Sequence, residues 1–390
     1  MKQADLVIIG GAIMGACLAY FLKKDLGFEG SVIVVEKDPT YANSSTTLSA
    51  ASIRQQFSTP ENIQLSLFGR RFIGELQDRF GPEADIGFCE DGYLILATEA
   101  GLPILQSNHA IQMANGADNI LLDPAAMKAR FPWLNTDDLA AGCYGQSGEG
   151  WFDAHMLLDL VRKGAIAAGV HFIKGEVVGL EKTGNRVSTV TLVSGERIAC
   201  GAVANCAGPQ AGKVAAMLGI PLPIEARKRT IFVIDNPKPH PGMPLMVDPS
   251  GVYVRPEGNV YISGVGPGAE IDTAVEHDDL DPHYDLFEEV IWPTLYERMP
   301  GFDAIKMVNA WAGHYEYCTL DQNAVIGAHP EIENFYFNAG YSGHGLQHAP
   351  GAGFAVGELF LHGEYRSLDL SIFGYERVLA NKPVREMNII

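Results

Sequence analysis

The first 36 residues constrain the fold more than any other stretch of this chain. DLVII (5–9) is an apolar run too short to be a helix, and the pair Gly10-Gly11 follows it. The segment 15–24 has the length and apolarity of a buried helix, Gly27 closes it, and SVIVVE (31–36) is a second short apolar run. Strand, glycine turn, helix and strand in that order predict a βαβ unit whose strands are buried on both faces of a parallel sheet. The turn reads Gly10-Gly11-Ala12-Ile13-Met14-Gly15, one letter away from the dinucleotide-binding pattern G-x-G-x-x-G. In that pattern the first glycine makes the tight turn, the second lets the backbone approach a pyrophosphate, and the third lets helix pack on strand. Gly10 and Gly15 fill the first and third places. Ala12 adds a methyl at the second, where overpacking costs about 1–3 kcal/mol unless the turn shifts. Glu36 ends the second strand 21 residues after Gly15, near the spacing at which a carboxylate accepts hydrogen bonds from ribose hydroxyls and repels the 2′-phosphate of NADP. A solvated strand end is the plain alternative for Glu36.

Composition narrows what such a nucleotide fold is for. With 28 Lys and Arg against 47 Asp and Glu, the net charge of −19 repels nucleic acid and anionic lipid surfaces. Six cysteines without a C-x-x-C pair predict free thiols in a reducing compartment, and a cytoplasmic location is expected. Residues 6–22 are uncharged and mostly apolar, yet their glycines and the strand that follows fit the βαβ unit better than a signal peptide or membrane anchor. No integral membrane segment is expected.

Further along, "NSSTTLSAAS" (43–52) is too small and polar to form core, and Thr59-Pro60-Glu61 predicts a helix start with Thr59 as its cap. Strand-rich stretches at 84–145 and 221–324 suggest two visits to a second, antiparallel domain. The fold expected is α/β: a Rossmann domain built from 1–83, 146–220 and 325–390, with an inserted antiparallel sheet and helices forming a substrate domain. Asp153 reads as the cap of a helix over 153–169. RKR (227–229) begins a strand and reads as a solvated edge or a lure for anions.

Two more turns bring glycines close to a ligand. "VANCAGPQA" (203–211) is a strand running into a turn and helix, and "FNAGYSGHGLQHAPGAGFAVGELF" (337–360) is a strand, a glycine-rich loop and a helix that opens near Pro350. Three such turns exceed what NAD needs. A helix N-terminus suits the negative charge that develops near N1 of a reduced flavin, so FAD is the cofactor expected. Its contacts are assigned to Gly10, Ala12, Ile13, Met14 and Gly15 in the first turn, and to Glu36 and Lys37 after the second strand. Ser45, Ser49 and Ala50 in the polar loop, Val177, and Ala207 and Gly208 in the second turn follow. Gly340, Gly343, His344, Gly345 and Leu346 complete the set.

These segments, with "LSAASIRQQFSTPENIQLS", "PSGVYVRPEG", "NAWAGHYEYCTLDQNAVIG" and "GYSGHGLQHAPG", resemble the FAD-dependent D-amino-acid-oxidase-like superfamily, which includes sarcosine oxidase and glycine oxidase. Within it the chain is most similar to the FAD-dependent oxidoreductase domain-containing group, whose mitochondrial members act as respiratory complex assembly factors. The resemblance implies a flavin domain of the glutathione-reductase type, with an antiparallel sheet roofing the flavin. It also implies that a secondary amine or N-substituted amino acid loses hydride to flavin N5, giving an imine that hydrolyses. Arg54 lies where relatives bind a substrate carboxylate, while a second carboxylate-binding Lys of sarcosine oxidase is replaced by Gln347. His314 and His344 are placed near the flavin or substrate. Arg255 stands where oxygen-reactive relatives carry a Lys, which favours a dehydrogenase. The polar loop lacks the His that anchors flavin in some relatives, and the anchoring Cys of others aligns nearer His314 than Cys318, so non-covalent FAD is expected. His344 and His348 are four residues apart without the Glu of a metal motif, and no metal is expected. A non-catalytic FAD-containing assembly factor, and a D-amino-acid or opine dehydrogenase, are the alternatives in function. The electron acceptor is open, as is whether the chain forms a homo-oligomer or takes a protein partner.

Overall fold

The computed structural model describes residues 2–387. Two eight-stranded sheets organise them. The first is built around Lys2–Ile9, which pairs in parallel with Val32–Glu36 on one side and with Arg197–Asn205 on the other. Phe335–Ala339 and His171–Lys174 extend the parallel order outward, and Val325–Ala328 adds an antiparallel edge. Val177–Thr183 and Arg186–Leu192 form an antiparallel extension beside Arg197–Asn205.

The helix Ile13–Lys24 begins directly after the glycine turn, and its first ten residues are all buried. A helix apolar on every side must be enclosed, and this one lies between the parallel sheet and the helices Ala154–Ala167 and Gly345–His362. Gly10 has φ +96°, and an added Cβ would stand 2.3 Å from the Cys206 carbonyl oxygen, so the turn and the second glycine segment touch backbone to backbone. At Gly15 a Cβ would lie 1.9 Å from the Gly10 carbonyl oxygen. That closeness is the helix-on-strand packing expected of the third glycine.

The second sheet runs in the order Lys306–Cys318, Ile224–Asp235, Val260–Gly264, Tyr253–Glu257, Leu245–Val247, Tyr93–Ala97, Ala141–Gly145 and Asn119–Leu122. All its pairings are antiparallel except Leu245–Val247 with Tyr93–Ala97. Strand Ile224–Asp235 is paired on both sides only over Ile231–Ile234, and RKR, paired on one side, is kept from solvent by the carboxylates its charges engage. Arg229 grips Asp272 through two hydrogen bonds of 2.7 and 3.0 Å, Arg227 reaches the same carboxylate at 3.3 Å, and Lys228 binds Asp279 at 2.6 Å. The three cations hold the acidic segment after the sheet's third strand instead of waiting for an anion.

Two helix starts differ from expectation. The last long helix begins at Gly345, not near Pro350, which sits inside it. Proline forfeits one backbone bond and costs about 3 kcal/mol in a helix interior. Residues 345–353 are all buried, and that burial outweighs the loss. Thr59 stands at the N-cap of Pro60–Gly74, but its side chain makes no capping bond. The buried Glu386 carboxylate, brought back from the end of the chain, accepts the Ser58 N–H at 2.5 Å and the Thr59 N–H at 3.1 Å. Asp153 does cap its helix, accepting the Met156 N–H at 2.9 Å.

Candidate active site

A cavity of about 1180 Å³ runs from the first glycine turn to the start of the last helix, under the second sheet. Gly10, Ala12, Ile13 and Met14 form one end of its floor, with Glu36 and Lys37 beside them. Ala12 has φ −70° and ψ −166°, extended backbone open to any residue, so the turn tolerates alanine at the second glycine's place. It is also the N-cap of Ile13–Lys24 and offers no side-chain cap. The first-turn N–H groups of a helix carry a partial positive charge; the Thr46 hydroxyl takes only that of Ile13, at 3.4 Å. An anion such as a pyrophosphate fits this end. The Glu36 carboxylate is fixed by the N–H groups of Gly11 and Asp38, each at 2.8 Å, and it retains lone pairs for hydroxyl donors.

The polar loop (Ser45, Ser49, Ala50), Val177, Ala207 and Gly208 form the middle, and Gly343, His344, Gly345 and Leu346 close the far end at the N-terminus of Gly345–His362. Gly15 and Gly340 lie behind the wall, the first under the turn and the second holding the loop from below. Three glycine turns and two helix N-termini thus face one elongated cavity with an acid at the ribose end. This donor set fits FAD. Cys318 is no part of it, being buried with its thiol 3.5 Å from Asp321 Oδ1.

Arg54 enters from the short strand Ser52–Ile53 and is 4% exposed. Its backbone N–H binds Gln347 Oε1 at 2.8 Å, its guanidinium donates to the Gln56 carbonyl, and it lies 4.1 Å from the centre of the Phe57 ring. Burial lowers its pKa, while Tyr93 and the carboxylates of Glu386 and Glu149 oppose that shift. Gln347 therefore positions the segment that carries Arg54. Tyr93, Tyr253 and Tyr315 line the cavity with Ile231 and Leu245. The Tyr93 hydroxyl is 3.1 Å from Ser52 Oγ, and that of Tyr315 donates to the Ser342 carbonyl.

His314 lines the cavity under the roof, 3.1 Å from the Asp279 carbonyl oxygen, with the ring of His277 6.1 Å away. His277 in turn contacts Lys37. Burial holds His314 below its ordinary pKa, and burial and Arg54 hold His344 far below it, so both are neutral at pH 7. Arg255 is misplaced by the sequence reading. Two residues beyond Tyr253 on its strand, it passes the cavity's edge, donates to the Ala50 carbonyl at 2.8 and 3.2 Å, and pairs with Glu257 at 2.5 Å. It holds the polar loop and does not line the cavity. Among the described residues no three His, Cys, Asp or Glu converge as metal ligands, and no helix is long and apolar enough to cross a membrane.

The sequence reading missed two carboxyls. Glu149, 0% exposed, accepts the Gln55 N–H at 2.5 Å and Gln56 Nε2 at 2.8 Å, behind Arg54. Glu316 lines the cavity and accepts the Gly340 N–H at 3.0 Å. Burial pushes each up to about 7, against hydrogen bonds that favour the ionised form. Nothing local marks Glu149; Glu316 alternates with His314 and Cys318 along a strand, which was a usable signal.

A dinucleotide-binding fold with a second, mostly antiparallel sheet over the candidate cofactor cavity is the class these features define. Residues 5–359 match the family of FAD dependent oxidoreductases abbreviated DAO, and the chain belongs to that family. It is 40% identical to FAD-dependent oxidoreductase domain-containing protein 1 of Xenopus laevis, over 100% of this chain and 85% of that protein. Sarcosine oxidase subunit beta of Rhizobium meliloti is 26% identical over 92% of this chain and 85% of its own length. The crystal structure of L-proline dehydrogenase from P. horikoshii superposes with a TM-score of 0.87 at 25% identity, covering 98% of this chain and 100% of that one. The cofactor of the family is FAD.

Proposed function

We propose that this protein oxidises the C–N bond of a small secondary amine or N-substituted amino acid. FAD, when bound, supplies the hydride acceptor at flavin N5, and water hydrolyses the imine that leaves. The chain's own part is placement. Arg54 presents a planar, permanently charged fork that matches a carboxylate through two bonds. Gln347 and Phe57 fix the segment and the guanidinium, and fixing them beforehand lowers the entropic barrier to a reactive geometry. Tyr93, Tyr253, Tyr315, Ile231 and Leu245 wall off water, while the N-terminus of Gly345–His362 offers positive potential to charge developing on the flavin. Burial makes His314 and His344 poor bases, so no residue is assigned to remove a proton, and the amine reacts in its uncharged form.

The observation that carries this reading is the buried Arg54 in the wall of a cavity ending at the 343–346 loop. The lean toward a dehydrogenase loses its residue now that Arg255 points elsewhere. The test compares an N-methyl amino acid with its amide in the wild type and in Arg54→Gln. The wild type should prefer the acid at least tenfold in kcat/KM, and the variant should lose that preference. Equal use of acid and amide by the wild type would remove Arg54 from the role.

A further inference from the structure

Glu316 belongs to no part of the function so far described, yet it sits where three pieces of the cofactor site meet. Its Oε2 accepts the Gly340 N–H, and a methyl group on Gly208 would lie 3.7 Å from the same oxygen. A methyl on Gly345 would lie 3.0 Å from Oε1 and 3.0 Å from Met14 Cε. The carboxyl thus touches the second turn, the third turn and the start of the last helix, and it faces the cavity. Among the described residues no ion pair reaches it.

The groups around it offer no compensating charge. On its own strand His314 is neutral and Cys318 is a buried thiol. Across the sheet Ala226 is opposite, and Lys228, one step along the same face, is engaged by Asp279. Cys206 from the second turn and Tyr341 from the third both have raised pKa values, with Glu316 among the causes. Among the described residues, the groups that favour the anion are the backbone N–H groups of Gly340 and Tyr341. The pyrophosphate of FAD brings about two further negative charges into the same cavity, and like charges in a poorly solvated site do not both persist.

We propose that FAD binding to this chain is coupled to protonation of Glu316, which holds the proton in the cofactor-bound state and, as a neutral carboxyl, can donate one hydrogen bond into the cavity. The proton balance is one carboxylate plus one solvent proton plus FAD giving one carboxylic acid in the complex. Burial already places this group's pKa near neutrality in the cofactor-free chain, so the uptake falls above about pH 7. The proposal concerns the family cofactor alone and stands whether or not an amine is the substrate.

The test rebinds FAD to the full-length apoprotein and follows flavin fluorescence from pH 6 to 9. By linkage, the apparent Kd of the wild type should weaken about tenfold per pH unit above 7, and Glu316→Gln should flatten the profile. Calorimetry at pH 8 in two buffers of different ionisation enthalpy should show close to one proton taken up by the wild type and by His277→Gln, and none by Glu316→Gln. Uptake that persists in Glu316→Gln, or vanishes in His277→Gln, would overturn the assignment. If Glu316→Gln does not fold, the infrared difference between wild-type holoprotein and apoprotein decides. A new carbonyl band of a protonated carboxyl supports the proposal, and its absence refutes it.

Discussion

Glu149 gives the sharpest stability prediction, because it is fully enclosed and accepts hydrogen bonds from Gln55 and Gln56. Burial raises its carboxyl from 4.5 to about 7. A group whose folded pKa exceeds its unfolded value binds more protons when folded, so stability falls as pH rises between the two values and is flat above the higher one. Each pH unit is worth about 1.4 kcal/mol, and the window from 4.5 to about 7 amounts to roughly 3 kcal/mol for this residue. Glu316 contributes a parallel loss over the same window. In Glu149→Gln the amide oxygen still accepts the Gln55 N–H, but the bond from Gln56 Nε2 is lost, a cost of about 1 kcal/mol at every pH. The pH dependence is therefore the diagnostic quantity, not the stability at any one pH. Urea denaturation of both proteins at pH 5 and pH 8 should show the wild type losing about 2–3 kcal/mol more than the variant across that interval. Identical losses would mean that Glu149 is ionised in the folded chain at pH 5 and that its surroundings solvate it.

Three further outcomes follow from the same geometry. Gly10→Ala places a Cβ against the Cys206 carbonyl at a φ of +96°, so it should abolish FAD retention and destabilise the chain by several kcal/mol, read by flavin content after gel filtration and by melting temperature. Ala12→Gly should change the FAD Kd less than threefold, since the turn already accommodates the methyl; a gain of tenfold or more would show that the methyl obstructs the phosphates. Glu386→Gln weakens the cap on Pro60–Gly74 and removes a negative charge near Arg54, so it should cost about 1–2 kcal/mol in denaturation and tighten binding of a carboxylate inhibitor.

Features set by local chemistry were readable from the chain. Gly10, Gly15 and Glu36 announce themselves because a tight turn, a close helix and a strand-end acid need those residue types at fixed spacing, and the fold brings Gly10 and Glu36 onto the cavity. Arg54 was reached through resemblance, and it too is in the wall. The pairing of RKR with Asp272 and Asp279 was hidden because it depends on which strand neighbours which. Arg255 shows the same limit: alternation along Tyr253–Glu257 gives its face, but not where the cavity ends along the strand. Glu149 and Glu386 look like ordinary surface acids in sequence, and only strand alternation with His314 and Cys318 hints at Glu316. Their burial is created by segments far along the chain, from Gln55 to Glu149 and from Ser58 to Glu386. Pro350 misled for a different reason, since local propensity sets a helix start only where burial does not override it.

The most direct measurement is anaerobic mixing of the purified FAD-loaded protein with N-methyl and N-carboxyalkyl amino acids, followed in the visible absorption of the flavin. Bleaching of that band by at least one of them, with the corresponding aldehyde or keto acid released, is the expected result. A protein that keeps its oxidised spectrum with every such amine, yet bleaches with a chemical reductant, would contradict C–N oxidation and leave its FAD a structural role.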